Sequence, residues 1–171
     1  MRVLGHDPSK SAADLAAFGI EKRDNLGAML EECDFLSLHA TLSRKSAGLI
    51  GREELARMKP GAILINSARG ALVDETALVE ALLEGRLGGA DLDVFSSEPL
   101  NRRDHPFAPL YGMDNVILHP HLTFFTHEAM ARLEEDTLQR CCELFAGGPV
   151  LVKSRDPRLR AQVTGVEFPD D

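Results

Sequence analysis

Short apolar runs alternate with helical segments along this chain, and each run leads into a polar residue able to carry chemistry. The runs are Met1–His6, Cys33–His39, Ile63–Ile65, Gly89–Phe95 and Asn115–Leu118. Between them, Ser11–Phe18, Asn25–Glu32, Gly51–Lys59 and Asp74–Glu84 have helical spacing, caps or both. Such alternation predicts βαβ units and a parallel, doubly wound α/β sheet. Crossovers between parallel strands share one hand, so the strands deliver their carboxyl ends to one edge. Ligands of open α/β sheets bind at that edge. Asp7, His39, Arg69, Asp93 and His121 are therefore expected to line one crevice.

Local signals mark the elements. Ser11, Asn25 and Asp74 are good N-caps, and Gly85 suits the position after a helix C-cap. Leu78, Val79, Leu82 and Leu83 predict a wide apolar stripe. Pro60-Gly61 stops the helix before the central run, and Ile20–Arg23 reads as a weak extra strand. From Thr126 to about Phe145 a long helix carries Met130, Leu133, Thr137, Cys141 and Leu144 at steps of three and four. The tail from Val150 to Asp171 is polar, with a basic patch at Lys153–Arg160, and reads as partly disordered. The resulting division is an α/β domain over 1–125, a C-terminal helix over 126–148 and a polar tail over 149–171.

Composition narrows the partners. A net charge of -8 argues against nucleic acid, which needs a basic face. No apolar run is long enough to cross a bilayer, and no signal-peptide pattern opens the chain, so a membrane partner is not expected. Cys33, Cys141 and Cys142 are odd in number and lack CxxC spacing, which predicts neither a disulfide framework nor a zinc site, and a reducing cytoplasm. Adjacent Cys141 and Cys142 read as packing residues. His119 and His121 flank Pro120 with no ligand at metal spacing nearby, so no metal is expected.

The predicted edge suits acid–base work on a carboxylate substrate. His121 is the natural acid/base, since imidazole titrates near neutrality. Glu98 can fix its tautomer, and the guanidinium fork of Arg69 can grip a carboxylate. Asp7 suits a ribose diol and disfavours a 2′-phosphate, which points to NAD rather than NADP. Each residue also has a purely structural alternative: a turn at Asp7-Pro8, a satisfied strand-end His39, an Asp93 that caps a backbone loop, a solvated corner at Glu98-Pro99.

Asn66-Ser67-Ala68-Arg69-Gly70-Ala71-Leu72-Val73-Asp74-Glu75 resembles the signature of the D-isomer-specific 2-hydroxyacid dehydrogenases. So do Leu36–His39, Ala90–Phe95 with Glu98-Pro99, and His119-Pro120-His121, in order and spacing from Met1 to Gly148. The resemblance implies a Rossmann-like domain and NAD-dependent hydride transfer between a small 2-keto acid and a D-2-hydroxy acid. It implies that His121 moves the proton, Glu98 is its partner and Arg69 anchors the substrate. It places Asp7 on the adenine ribose and Asp93 on the nicotinamide amide. The backbone around His39, Ala40, Ser67 and Ala68, with Ser46, would line the cofactor, and the assembly would be a homodimer.

Two features depart from that family. No G-x-G-x-x-G turn occurs anywhere, although family members place a strand, that turn and a helix ahead of the segment that begins here. The family's substrate domain is also absent. The sheet is thus expected to be incomplete, the start to fall within a longer chain, and NAD affinity and turnover to be weak or absent in this chain alone. A non-catalytic NAD-sensing or partner-binding module is the competing expectation. The second departure is Leu122-Thr123-Phe124-Phe125, where the family has small residues after the histidine; the aromatics would line a substrate pocket or pack on the long helix.

Overall fold

The computed structural model describes residues 1–100 and 105–147. The expectations for the 149–171 tail lie outside them. The chain divides into two compact units, Met1–Thr123 and a second beginning at Phe124.

In the first unit, β1 (Val3–Gly5), α1 (Ala12–Ala16) and β2 (Ile20–Lys22) form one crossover, and β1 pairs parallel with β2 alone. Ser11 caps α1 in a reciprocal box with Asp14. Next come α2 (Leu26–Glu32), β3 (Phe35–Leu38), α3 (Arg52–Arg57), β4 (Ile63–Asn66), α4 (Glu75–Leu83), β5 (Gly89–Leu92) and β6 (Val116–Leu118). Strands β3 to β6 form a four-stranded parallel sheet in sequence order. Among the described residues neither β1 nor β3 has a second strand neighbour, so the sheet is interrupted between them and each keeps an unpaired edge. The expectation of an incomplete sheet takes this form.

Register explains which face carries the core. Leu36 lies beside Leu64 and Leu64 beside Ala90, while Leu38, Asn66 and Leu92 form the next row. These residues are buried, and the hydrophobic ones form one cluster with Leu30 of α2, Leu55 of α3 and Leu78 and Leu82 of α4. Each such leucine contributes roughly 1.5–3 kcal/mol by leaving water. The opposite face carries exposed Phe35 and Ile117. Asp74 accepts from the Ala77 amide at 3.0 Å and so starts α4. Gly85 ends it with φ +67°, a conformation that favours glycine. Leu83 departs from the expected stripe: it is exposed, because it falls on the outer face of the last turn.

In the second unit, Thr126 caps α5 (His127–Phe145) by accepting from the Ala129 amide at 3.1 Å. Phe124 and Phe125 meet edge to face at 6.2 Å between ring centroids. No residue of α5 is buried, and Leu133 and Leu144 are exposed. The reading of Cys141 and Cys142 as packing residues is corrected on the same ground: both thiols are exposed.

Candidate active site

The carboxyl ends of β3, β4, β5 and β6 lead into His39, Arg69, Asp93 and His121, because the four strands run parallel in one sheet. Asp7 follows β1 in the separate two-stranded sheet.

His121 and Glu98 form the centre of this edge. Imidazole Nδ1 lies 2.7 Å from Glu98 Oε2. Glu98 Oε1 accepts from the Phe95 amide at 2.9 Å. Burial pushes the Glu98 carboxyl up, but the hydrogen bonds from His121 and Phe95 outweigh it and hold the group below its ordinary value. An ionised carboxylate only accepts, so Nδ1 carries the proton between them.

The backbone under His121 is strained. Its φ is +57°, in the left-handed region that non-glycine residues uncommonly enter. Asp93 supplies the constraint. Its carboxylate, 1% exposed, accepts from the Leu122 amide at 2.8 Å, the Thr123 amide at 3.0 Å and the Thr123 hydroxyl at 2.5 Å. Burial pushes this carboxyl up as well, and the bonds from Thr123 and Leu122 bring it below its ordinary value. Asp93 thus anchors the loop that presents His121. This is the loop-capping alternative left open for it by its sequence, and a carboxylate with about four acceptor sites keeps capacity beyond these three bonds.

Arg69 is held by its neighbours. Buried Asn66 donates to the Arg69 carbonyl at 3.0 Å and accepts from the Ala68 amide at 3.1 Å. The Arg69 guanidinium is exposed, with Nη1 donating to the Ala68 carbonyl at 2.6 Å. Gly70 follows flush against the next loop: a Cβ here would lie 2.0 Å from the Phe95 carbonyl carbon. Asn66 and Thr123 were not singled out by sequence; an asparagine closing a strand before a small-residue turn is a readable signal for such bracing.

The other expected cofactor residues also have local partners. His39 Nε2 lies 2.9 Å from Ser37 Oγ, so its ring folds back on its own strand. Ser46 donates to the Thr41 carbonyl at 2.7 Å and accepts from the Ser43 amide at 2.8 Å. Ala40 and Ala68 pack against the core, and Ser67 is exposed in the loop after β4. Asp7 accepts from the Ser9 amide and hydroxyl, both at Oδ1, which lowers its carboxyl below the ordinary value. His119 pairs with Asp91 at 3.1 Å while His121 pairs with Glu98, so the two rings serve different carboxylates. Among the described residues no three His, Cys, Asp or Glu side chains are grouped to hold a metal.

Residues 1–123 match the D-isomer specific 2-hydroxyacid dehydrogenase, NAD binding domain. The chain belongs to that family. Among its relatives, the (S)-sulfolactate dehydrogenase of Chromohalobacter salexigens is 44% identical over 133 residues, covering 78% of this chain and 42% of the relative. The glyoxylate reductase of Thermococcus litoralis is 47% identical over 135 residues, covering 79% and 39%. Of solved structures, the D-lactate dehydrogenase from Aquifex aeolicus, complexed with NAD and lactic acid, superposes with a TM-score of 0.77 at 31% identity. That match covers 86% of this chain and 47% of the solved one. The chain therefore spans less than half the length of these 2-hydroxyacid dehydrogenases.

The family's cofactor is NAD, and the residues here fit part of it. Asp7 and the loops after β3 and β4 offer the carboxylate and backbone groups that a ribose and an amide need. The sequence has no glycine-rich turn to bring amides to a pyrophosphate.

Proposed function

We propose that this chain supplies the acid/base and the substrate anchor of an NAD-dependent dehydrogenase that interconverts a 2-keto acid and a D-2-hydroxy acid. The observation that carries the reading is the 2.7 Å pair of His121 Nδ1 and Glu98 Oε2, on a loop that Asp93 forces into a strained backbone. With Nδ1 committed to Glu98, Nε2 is the nitrogen that exchanges a proton with substrate. The carboxylate of Glu98 stabilises the imidazolium. Arg69 holds the substrate carboxylate through its guanidinium fork and stabilises charge that builds on the neighbouring carbonyl oxygen. His121 then protonates that oxygen in reduction and removes the proton in oxidation. The nicotinamide, when bound, supplies or accepts the hydride at the carbonyl carbon.

Asp7 is assigned to the adenine ribose, and the backbone of His39, Ala40, Ser67 and Ala68 to the cofactor surface. Asp93 is assigned to the nicotinamide amide as well as to the His121 loop, and Ser46 to the cofactor surface beside Thr41. Residues 1–125 are assigned to a partial dinucleotide-binding domain, followed by a helix over 126–148 and a polar tail over 149–171. All three cysteines are free, which suits a reducing cytoplasm. A homodimer follows from the family resemblance, and sedimentation equilibrium tests it.

The test joins this chain to the N-terminal part of the T. litoralis glyoxylate reductase that precedes the matched segment. NADH oxidation is then followed with glyoxylate, pyruvate and larger 2-keto acids. Turnover of any of these supports the reading. A folded, NADH-binding chimera that reduces none of them contradicts it and favours the non-catalytic module.

A further inference from the structure

Arg69 and Glu98 stand on different loops, 29 residues apart in sequence (98 minus 69), and a substrate held by one must meet the histidine oriented by the other. Something must fix the distance between those loops. Two features do so. The first is the close backbone approach of Gly70 to the Phe95–Ser96 peptide. The second is Glu75, the first residue of α4. Its Oε1 accepts from the Ser96 amide at 2.6 Å and its Oε2 from the Ser96 hydroxyl at 2.6 Å. An acid at this helix position ordinarily faces water and acts only on the helix dipole. Here both oxygens reach across to a residue 21 positions away, two before Glu98.

We propose that Glu75 is a positioning residue that locks the Arg69 loop to the Glu98 loop and so sets where the His121–Glu98 pair sits relative to the substrate anchor. The chain of contacts is short. Asp74 and Glu75 begin α4 directly after the Gly70–Leu72 turn that follows Arg69. Glu75 grips Ser96, the Phe95 amide holds Glu98 Oε1, and Glu98 Oε2 holds His121. Removing both acceptors at position 75 frees Ser96 from α4 while the close approach of Gly70 and the strand pairing of β4 with β5 remain. The proposal rests on the reading that Arg69, Glu98 and His121 act together.

Substitution separates the clamp from a helix-dipole role. In Glu75→Gln the amide oxygen still accepts from the Ser96 N–H, and the amide nitrogen donates to a rotated Ser96 hydroxyl. The clamp survives while the charge is lost. Glu75→Ala loses both. The 171-residue chain is labelled with 15N at histidine, and the His121 imidazole is followed above neutral pH in the wild type and both variants. The wild type is expected to show the Nδ1–H tautomer, Glu75→Gln to match it, and Glu75→Ala to lose that signature. An unmoved His121 in folded Glu75→Ala, or equal displacement in both variants, overturns the proposal. If Glu75→Ala does not fold, Glu75→Asp decides: it keeps the charge at the start of α4 but is too short to reach Ser96, and a His121 spectrum identical to wild type overturns the clamp. No turnover is needed for this readout, so an inactive chimera with a displaced His121 signal counts against the dehydrogenase reading alone.

Discussion

Replacing Asp93 by alanine tests whether this carboxylate holds the His121 loop. The substitution removes the acceptor for two backbone amides, Leu122 and Thr123, and for the Thr123 hydroxyl. The hydroxyl rotates to water at little cost. Each stranded amide costs about 1–2 kcal/mol, and the two share one loop, so their costs do not simply add. Against this, His121 is released from its φ of +57°, which returns about 1 kcal/mol. The net expectation is a loss of about 2 kcal/mol, a large share of a typical stability of roughly 5–15 kcal/mol. With no tryptophan in the chain, urea unfolding is best followed by far-ultraviolet circular dichroism. A lower midpoint at unchanged slope gives the loss directly. Asp93→Asn, which keeps one acceptor oxygen, should fall between. If Asp93→Ala unfolds at the wild-type midpoint without cofactor, the carboxylate is not bracing the loop and the account of His121 is wrong.

Three further outcomes follow from the same geometry. Gly70→Ala places a methyl 2.0 Å from the Phe95 carbonyl carbon, so backbone must move; the expected loss is about 1–3 kcal/mol by urea unfolding, and wild-type stability would refute the close packing. Glu98 and Asp93 have native carboxyl pKa values below the ordinary 4.5 and 3.8, so their stabilisation is complete above those values and is lost as pH falls through them toward the lower native ones. The urea midpoint should therefore drop below about pH 4.5, and drop less in Glu98→Gln; equal acid sensitivity would contradict the pairing. Lacking a glycine-rich turn, the 171-residue polypeptide should show no saturable heat of NAD binding at millimolar cofactor, and tight binding by calorimetry would show that pyrophosphate is held by other means.

Much of this fold is written in short-range chemistry. Ser11, Asn25, Asp74 and Thr126 cap helices because their side-chain oxygens reach an amide three residues ahead. Buried parallel strands are apolar runs, and β3 to β6 are found where those runs lie. The His121–Glu98 pair was legible from placement at strand ends. What stayed hidden depends on distant partners. Nothing near Asp93 in sequence says that its acceptors serve residues 29 and 30 positions later. The side-chain partners of His39 and Ser46, Ser37 and the Thr41 carbonyl, have no signal in the sequence that sets them apart from other loop residues. Glu75 reads as a first-turn acid until Ser96 is brought beside it.

His121→Asn removes the group proposed to move the proton in reduction of a 2-keto acid. Asparagine tolerates positive φ better than other non-glycine residues, so the loop that Asp93 holds stays intact while the acid/base is removed. In the chimera with the T. litoralis N-terminal part, NADH-dependent kcat for the best keto acid should fall by about 10²–10⁴-fold, with KM for the keto acid nearly unchanged because Arg69 remains. A His121→Asn chimera that keeps its wild-type kcat would contradict the account.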